Sequence, residues 1–372
     1  MSYDYLIVGA GFAGAVMAER IARESGKKVL IIDKRGHIGG NCYDYTDDNG
    51  ILIHRYGPHA FHTNLKKVFD YLNRFTEFTP YEHRVLADIE GQKVPVPFNF
   101  KSIDLIYGKD KGAVLKDSLL KYFPMESKIP ILKLREIAGD DLKELAEYIY
   151  SKIFYGYTLK QWGLKPEELD FSVSSRVPVH ISNDDRYFQD RYQAIPSEGY
   201  TKLFENRLNH KNIDLELNLD FKQAKEQIKF NKLIFTGPID SYFDYYFGDL
   251  PYRSLNFDFV SLDQKNFQAT AQVNYPNEHD YTRITEFKHF LNQRSSKTTI
   301  AYEYPMAYKE GENDPYYPIQ EMKNDLIYQK YRNEADKLSR DVLFTGRLAE
   351  YKYYNMDQII AVAIKLFDQY IK

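Results

Sequence analysis

Apolar and polar positions along the chain fall into two periods. Tyr5-Leu-Ile-Val8 is a short continuous apolar run, and Lys28 to Ile32 is a second that ends on Asp33. Between them, residues 12–24 set Ala, Val, Met and Ile among charges at helical spacing. The pattern predicts a strand, a helix and a second strand. A short strand follows Gly50, then a loop with His54, His59 and His62, then a helix over Leu65 to Phe75. His83 to Ile89 and Lys93 to Val96 flank Glu90-Gly91 as a hairpin, closed by Pro95 and Pro97. From Lys101 to Lys160 glycine is sparse, and the spacing predicts helices over Leu115 to Phe123, Ile131 to Ala138 and Leu142 to Phe154, ended by Pro166. Leu169 to Asp190 reads as irregular.

Gly199 to His210 reads as a helix, and Ile213 to Leu219 and Lys232 to Gly237 as strands. Residues 252–304 alternate apolar and polar, which predicts antiparallel sheet. A charged helix over Glu321 to Leu338, a strand at Val342 and a helix over Met356 to Tyr370 complete the chain.

The first junction carries chemistry. Gly9-x-Gly11-x-x-Gly14 lies between the first strand and helix. Gly9 permits the sharp turn, Gly11 removes a side chain where a pyrophosphate must reach backbone, and Gly14 lets the helix sit close to the sheet. The free N–H groups of the helix start then face phosphate. Asp33 lies roughly 20 residues on, where a carboxylate accepts from a ribose. Lys34-Arg35 and a second glycine pair, Gly39-Gly40, follow before Asn41. That continuation resembles the FAD-binding opening of amine oxidase-like flavoproteins. The dinucleotide-binding unit is expected to be discontinuous, rebuilt from the start, middle and end of the chain.

Composition narrows the alternatives. Net charge is -3 over 372 residues, so no general basic character points to nucleic acid. No apolar run reaches the roughly 18–20 residues of a membrane span. A single cysteine, Cys42, excludes an intramolecular disulfide and fits a reducing cytosol; it is expected to pack. His59-x-x-His62 lacks further ligands at zinc spacing, so no metal is expected. The 33 tyrosines and 24 phenylalanines suit a wet pocket that stacks on rings and hydrogen-bonds phosphates.

Motifs over nearly the whole length then agree: HIGGN at 37–41, YGPHAFHTN at 56–64, YTLKQWG at 157–163, RYFQDRYQAIPSEGYTKL at 186–203, FTGPID at 235–240, YTRI at 281–284, DPYYP at 314–318 and GRLAEYKYYNMDQ at 346–358. The chain resembles the bacterial UDP-galactopyranose mutases. The resemblance implies an α/β fold: an FAD-binding Rossmann-like domain (1–76, 194–240, 318–372), an inserted helical domain (99–172) and an antiparallel β-sheet domain (77–98, 173–193, 241–317). It implies a cytoplasmic homodimer that interconverts UDP-galactopyranose and UDP-galactofuranose for cell-surface glycans. FAD is active when reduced by an electron donor; flavin N5 attacks the anomeric carbon, and a flavin–sugar iminium forms without net redox.

By the same resemblance, Arg176 and Arg283 hold the diphosphate, with Tyr187, Tyr317 and Tyr353 donating hydroxyls. Phe154 and Tyr157 wall the uridine, Trp162 borders the sugar, and Asn274 also meets substrate. His59 supports N5 protonation and His62 packs the ring edge. Gly9, Gly11, Phe12, Ala13, Gly14, Asp33, Lys34, Arg35, Gly40, Asn41, Phe61, Arg347, Tyr354, Asn355 and Met356 meet the cofactor. Residues 171–179 match a mobile loop that carries Arg176. Two positions depart from the family pattern: Asn355 stands for Asp, and Pro58 for a small or hydroxyl residue. The alternatives are a mutase acting also on UDP-N-acetylgalactosamine, an amine oxidase-like flavin oxidoreductase, or a non-catalytic flavin-binding subunit.

Overall fold

The structure is a computed structural model that describes residues 2–137, 139–171, 175, 177–338 and 341–372. Five parallel strands form the nucleotide-binding sheet in the order Ile213–Leu217, Val29–Asp33, Ser2–Val8, Lys229–Phe235, Val342–Phe344. They come from the start, middle and end of the chain. Successive side chains on a strand point to opposite faces. Ile7, Ile31 and Ile234 pack under the helices Phe12–Glu24, Gly199–Leu208 and Met356–Tyr370. Leu6, Leu30, Leu233 and Phe235 point the other way, onto Tyr331 of the helix Met322–Lys337. Burial on both faces explains why these strands read as continuous apolar runs.

A seven-stranded sheet runs in the order Tyr317–Pro318, Tyr252–Leu262, Thr298–Ala307, Arg283–Glu286, Gln272–Asn274, Val85–Ile89, Gln92–Val96. It differs from the purely antiparallel expectation at one pair, because Gln272–Asn274 runs parallel to Val85–Ile89. The chain that joins these two strands crosses the whole helical region. A three-stranded sheet joins Phe61–Thr63, Tyr192–Pro196 and Phe78–Pro80. His62 is therefore on a strand, not in a loop.

The helical region packs Leu115, Leu119, Leu142, Leu145 and Ile149 on Val85, Ala87, Val94 and Val96 of the hairpin. Its first helix, Phe100–Tyr122, begins well before the expected Leu115. Asn99 starts it: the side chain accepts from the Lys101 and Ser102 N–H groups, and the Ser102 hydroxyl accepts from the Asn99 N–H. Gly108, at φ 74°, breaks its periodicity and hides the first half. Farther on, Asp140–Ile149, a π-helical turn Tyr150–Tyr155 and Gly156–Trp162 follow without a break.

Candidate active site

The cradle at the first junction is built from close backbone approaches. A Cβ on Gly14 would lie 1.9 Å from the Gly9 carbonyl oxygen, and one on Gly9, at φ +103°, 2.1 Å from Thr236 Oγ1. Gly11 and Gly40 face each other: a Cβ on Gly40 would sit 3.0 Å from the Gly11 Cα, whereas one on Gly11 meets only ordinary contact at 3.7 Å. The Phe12, Ala13 and Gly14 N–H groups open the helix and are available to an anion. The Phe12 ring packs inward on Phe204, 4.7 Å between centroids, so only its backbone can serve a ligand.

Asp33 joins the two glycine turns by accepting from the Ala10 N–H (2.9 Å) and the Arg35 N–H (2.9 Å). Each oxygen keeps lone-pair capacity for a ribose hydroxyl. Arg35 donates to Asn41 Oδ1 (2.9 Å), pairs with Asp314 (3.1 Å) and lies over the Tyr56 ring. Lys34 is exposed and lies 3.8 Å from Asp314. These contacts and the open face at Gly11 fit an adenine dinucleotide.

A cavity of about 550 Å³ is lined by His59, His62, Arg283, Arg347, Asn355 and Met356, among others. His59 Nδ1 donates to the Gly57 carbonyl (2.7 Å), and its backbone N–H donates to His54 Nδ1 (3.0 Å). Burial, then His54, lowers its pKa to about 3, so it is neutral with Nε2 as an acceptor. His62 stacks on Phe188 at 3.6 Å and bonds Asp190 through Nδ1 at 2.7 Å. That bond holds the Asp190 carboxyl below its usual range. Arg347 donates to the carbonyls of Tyr316 (3.2 Å) and Tyr354 (2.7 Å). Asn355 caps the last helix in a capping box with Gln358. Phe61 is buried with Phe69 and Phe78; neither it nor Tyr354 lines the cavity. Cys42 is buried beside Met356, 3.5 Å between sulfurs.

A second cavity is lined by Phe154, Tyr157, Trp162, Tyr187, Asn274, Arg283, Tyr317 and Tyr353. Its helical wall repeats every four residues, as Ile153-Phe154, Tyr157-Thr158 and Gln161-Trp162. The π-helical turn lengthens the local repeat and keeps all three pairs on one face. Tyr317 and Tyr353 stack at 5.2 Å and 13°, with Trp162 5.8 Å from Tyr317. Burial raises the Tyr157 hydroxyl's pKa, against the nearby Arg283, so it stays a donor.

Among the described residues, Arg283 is the cation that lines both cavities. Its Nε donates to Glu303 Oε2 at 2.7 Å, and the two residues are cross-strand neighbours. Burial opposes its charge, but Glu303 and Tyr157 outweigh burial and raise its pKa. Both Nη groups lack hydrogen-bond partners among the described residues. Arg176 lies outside the described residues. Val177, Tyr187, Arg283, Tyr317 and Tyr353 line both cavities, so the two share one wall.

Three side chains at or beside these cavities are given no role by the motifs, although Gln161 lies within YTLKQWG. Gln161 is buried with Oε1 unpartnered among the described residues, and its place four residues after Tyr157 is what could have found it. Glu303 is an acid within an apolar strand, legible only through the register with Arg283. His83 receives or donates at Tyr81 Oη (3.0 Å) and lies in the first cavity.

Burial first lowers His54, His59 and His83 to about 3 each. Their folded values are depressed, so the unfolded chain binds more protons below about pH 6.5. Stability is expected to fall on acidification by up to about 1.4 kcal/mol per pH unit per histidine. Urea unfolding at pH 7 and pH 5 checks this; equal midpoints would mean that the three imidazoles are not buried neutral.

A family model described as UDP-galactopyranose mutase matches residues 152–353, and one for an NAD(P)-binding Rossmann-like domain matches residues 7–75. A probable UDP-galactopyranose mutase of Klebsiella pneumoniae is 37% identical, covering 99% of this chain and 94% of that protein. The chain belongs to the UDP-galactopyranose mutase family. A dTDP-fucopyranose mutase of Escherichia coli is 38% identical over 99% of this chain and 98% of that protein. A crystal structure of reduced UDP-galactopyranose mutase superposes with a TM-score of 0.75 at 15% identity, covering 99% of this chain and 93% of that one, which shows the shared fold. As a UDP-galactopyranose mutase family member the chain is an isomerase with a flavoprotein's Rossmann-like fold.

Proposed function

We propose that the chain interconverts UDP-galactopyranose and UDP-galactofuranose with FAD that must be reduced. The observation that carries this reading is the shared wall: the aromatic cavity opens onto the cofactor cavity along Arg283, Tyr317 and Tyr353. A nucleotide in the aromatic cavity would place its diphosphate at Arg283 and its sugar in the cofactor cavity. When bound and reduced, FAD would supply the nucleophile for the anomeric carbon, with no net redox. The protein's part is to hold UDP close enough to return. The fixed guanidinium, with Tyr187, Tyr317 and Tyr353 as hydroxyl donors, suits a departing diphosphate. Arg176 is proposed as the second guanidinium. His59 Nε2 is an acceptor, so its role is to receive a hydrogen bond rather than to supply a proton.

Residues 1–76, 194–240 and 318–372 would hold FAD, with 99–172 and the sheet segments 77–98, 173–193 and 241–317 closing on substrate. Exposed Leu105, Val114, Leu120 and Tyr122 on one helix support pairing of two copies through the helical unit. No described helix is long and apolar enough to cross a membrane. We place the chain in the cytoplasm, where an electron donor is at hand and a free Cys42 is at ease, supplying galactofuranose to cell-surface glycans.

The test incubates UDP-galactofuranose with the oxidised and the dithionite-reduced holoenzyme and separates products by anion exchange. Conversion to UDP-galactopyranose only after reduction is expected; no conversion by reduced holoenzyme would overturn the reading. The similarity to a dTDP-fucopyranose mutase favours a second reading. The same assay with dTDP-fucofuranose ranks the two substrates by kcat/KM, and conversion of that sugar alone would replace the first reading with the second.

A further inference from the structure

Lys160 does not line either cavity, yet its ammonium makes a cage of contacts beside them. Nζ donates to the carbonyls of Tyr275, His279 (2.8 Å) and Tyr281 (3.1 Å). All three belong to one turn, which joins the strand Gln272–Asn274 to the strand Arg283–Glu286. That turn is closed by the Tyr275 N–H donating to the Thr282 carbonyl (2.8 Å) and by His279 stacked on Tyr281 at 4.6 Å. It presents Asn274 at one end and Arg283 at the other, both at the aromatic cavity.

Lys160 itself sits on the helix Gly156–Trp162, which presents Tyr157, Gln161 and Trp162 to the same cavity. The helix is fitted to the turn. A Cβ on Gly156 would lie 2.5 Å from the Pro276 carbonyl oxygen, and Asn277 Nδ2 donates to the Lys152 carbonyl (2.9 Å). From the other side, Arg253 donates to the Gln161 (2.9 Å) and Lys160 (3.0 Å) carbonyls and satisfies the helix end.

We propose that Lys160 is a positioning residue: it clasps the 275–281 turn to the Gly156–Trp162 helix and thereby fixes Arg283 and Asn274 opposite Tyr157 across the bound nucleotide. Only an ammonium brings three donors to one point, and it meets three carbonyl dipoles with charge. Lys160 forms no ion pair among the described residues, so its role is not that of an ordinary surface salt bridge. Without the ammonium the two walls keep their own secondary structure, and their separation is no longer set.

This inference rests on the proposed nucleotide site, so the experiment separates the two. UDP affinity is measured by titration calorimetry on the holoenzyme for wild type, Lys160→Met, Arg283→Lys and the double variant. Lys160→Gln, which keeps two donors, stands in where the methionine variant does not fold. Loss of a charged hydrogen-bond cluster is expected to weaken UDP binding about 10-fold or more in the wild-type background, with the flavin absorbance spectrum unchanged. In the Arg283→Lys background, where the diphosphate contact is already impaired, the further loss is expected to be less than about 3-fold. An equal loss in both backgrounds would make Lys160 a general structural residue and overturn the proposal, as would wild-type affinity in both Lys160 variants. Absence of UDP binding by the wild-type holoenzyme would instead overturn the nucleotide site, and this inference with it.

Discussion

Arg283→Lys is expected to lower kcat/KM by about 100-fold or more while the protein stays folded and keeps its flavin. The reason lies in how the guanidinium is divided. Nε is held by Glu303, which is 1% exposed, and the two Nη groups remain for a diphosphate. A planar fork serves both partners at once, in fixed directions. A lysine ammonium at the same site is a single point on a flexible stem and cannot hold Glu303 and two phosphate oxygens together. Charge is conserved in this variant, so a loss of activity reports geometry. Steady-state kinetics with reduced holoenzyme is the measurement, and wild-type kinetics in Arg283→Lys would remove Arg283 from the diphosphate.

Arg283→Ala should differ in kind. It leaves the Glu303 carboxylate buried without its cation, and Glu303 Oε1 already has no hydrogen-bond partner among the described residues. Breaking such a pair by removing one member costs about 3–5 kcal/mol. Adding Glu303→Gln removes the stranded charge, so part of the stability should return in the double variant while activity does not. Urea unfolding beside kinetics separates the two roles of one side chain. If the double variant stays as unstable as Arg283→Ala, the stranded carboxylate is not the cause.

The parts of this molecule that were legible in the sequence are those fixed by local rules. Gly9 and Gly14 are required where a Cβ would meet Thr236 or the Gly9 carbonyl, and a strand–glycine–helix pattern announces that need. The last helix, Met356–Tyr370, follows from its apolar spacing. Phe61 shows the limit of motif reasoning. The family resemblance assigns it to the cofactor along with its neighbours, yet Phe61–Thr63 is a strand, and alternation turns Phe61 and Thr63 into the core and His62 toward the cavity. Glu303 and Lys160 were not legible because their partners are set by cross-strand register and by the meeting of a helix with a turn more than 100 residues away. Gly108 hid half a helix because its break falls where the spacing would otherwise have been counted.

The glycines of the cradle give the last and largest contrast, because two of them should fail in different ways. Gly14→Ala places a methyl 1.9 Å from a backbone oxygen and 3.1 Å from Ile7, neither of which is a flexible chain end. The helix Phe12–Glu24 must move off the sheet, and with it the core around Ile7 and Ile31. This variant is expected to unfold early or not to accumulate. Gly11→Val meets only Gly40 Cα at ordinary distance from its Cβ, and Gly11 carries no positive φ, so the fold should persist. What its side chain occupies is the open face beside the Ala13 and Gly14 N–H groups, where a pyrophosphate must touch backbone. Purified Gly11→Val should therefore be colourless, with a circular dichroism spectrum like that of the wild type and an affinity for added FAD reduced at least about 100-fold, as for loss of charged hydrogen bonds to two or more donors. Retention of stoichiometric flavin by a folded Gly11→Val protein would mean that the pyrophosphate does not lie on this turn, and the cofactor site would have to be sought elsewhere in the fold.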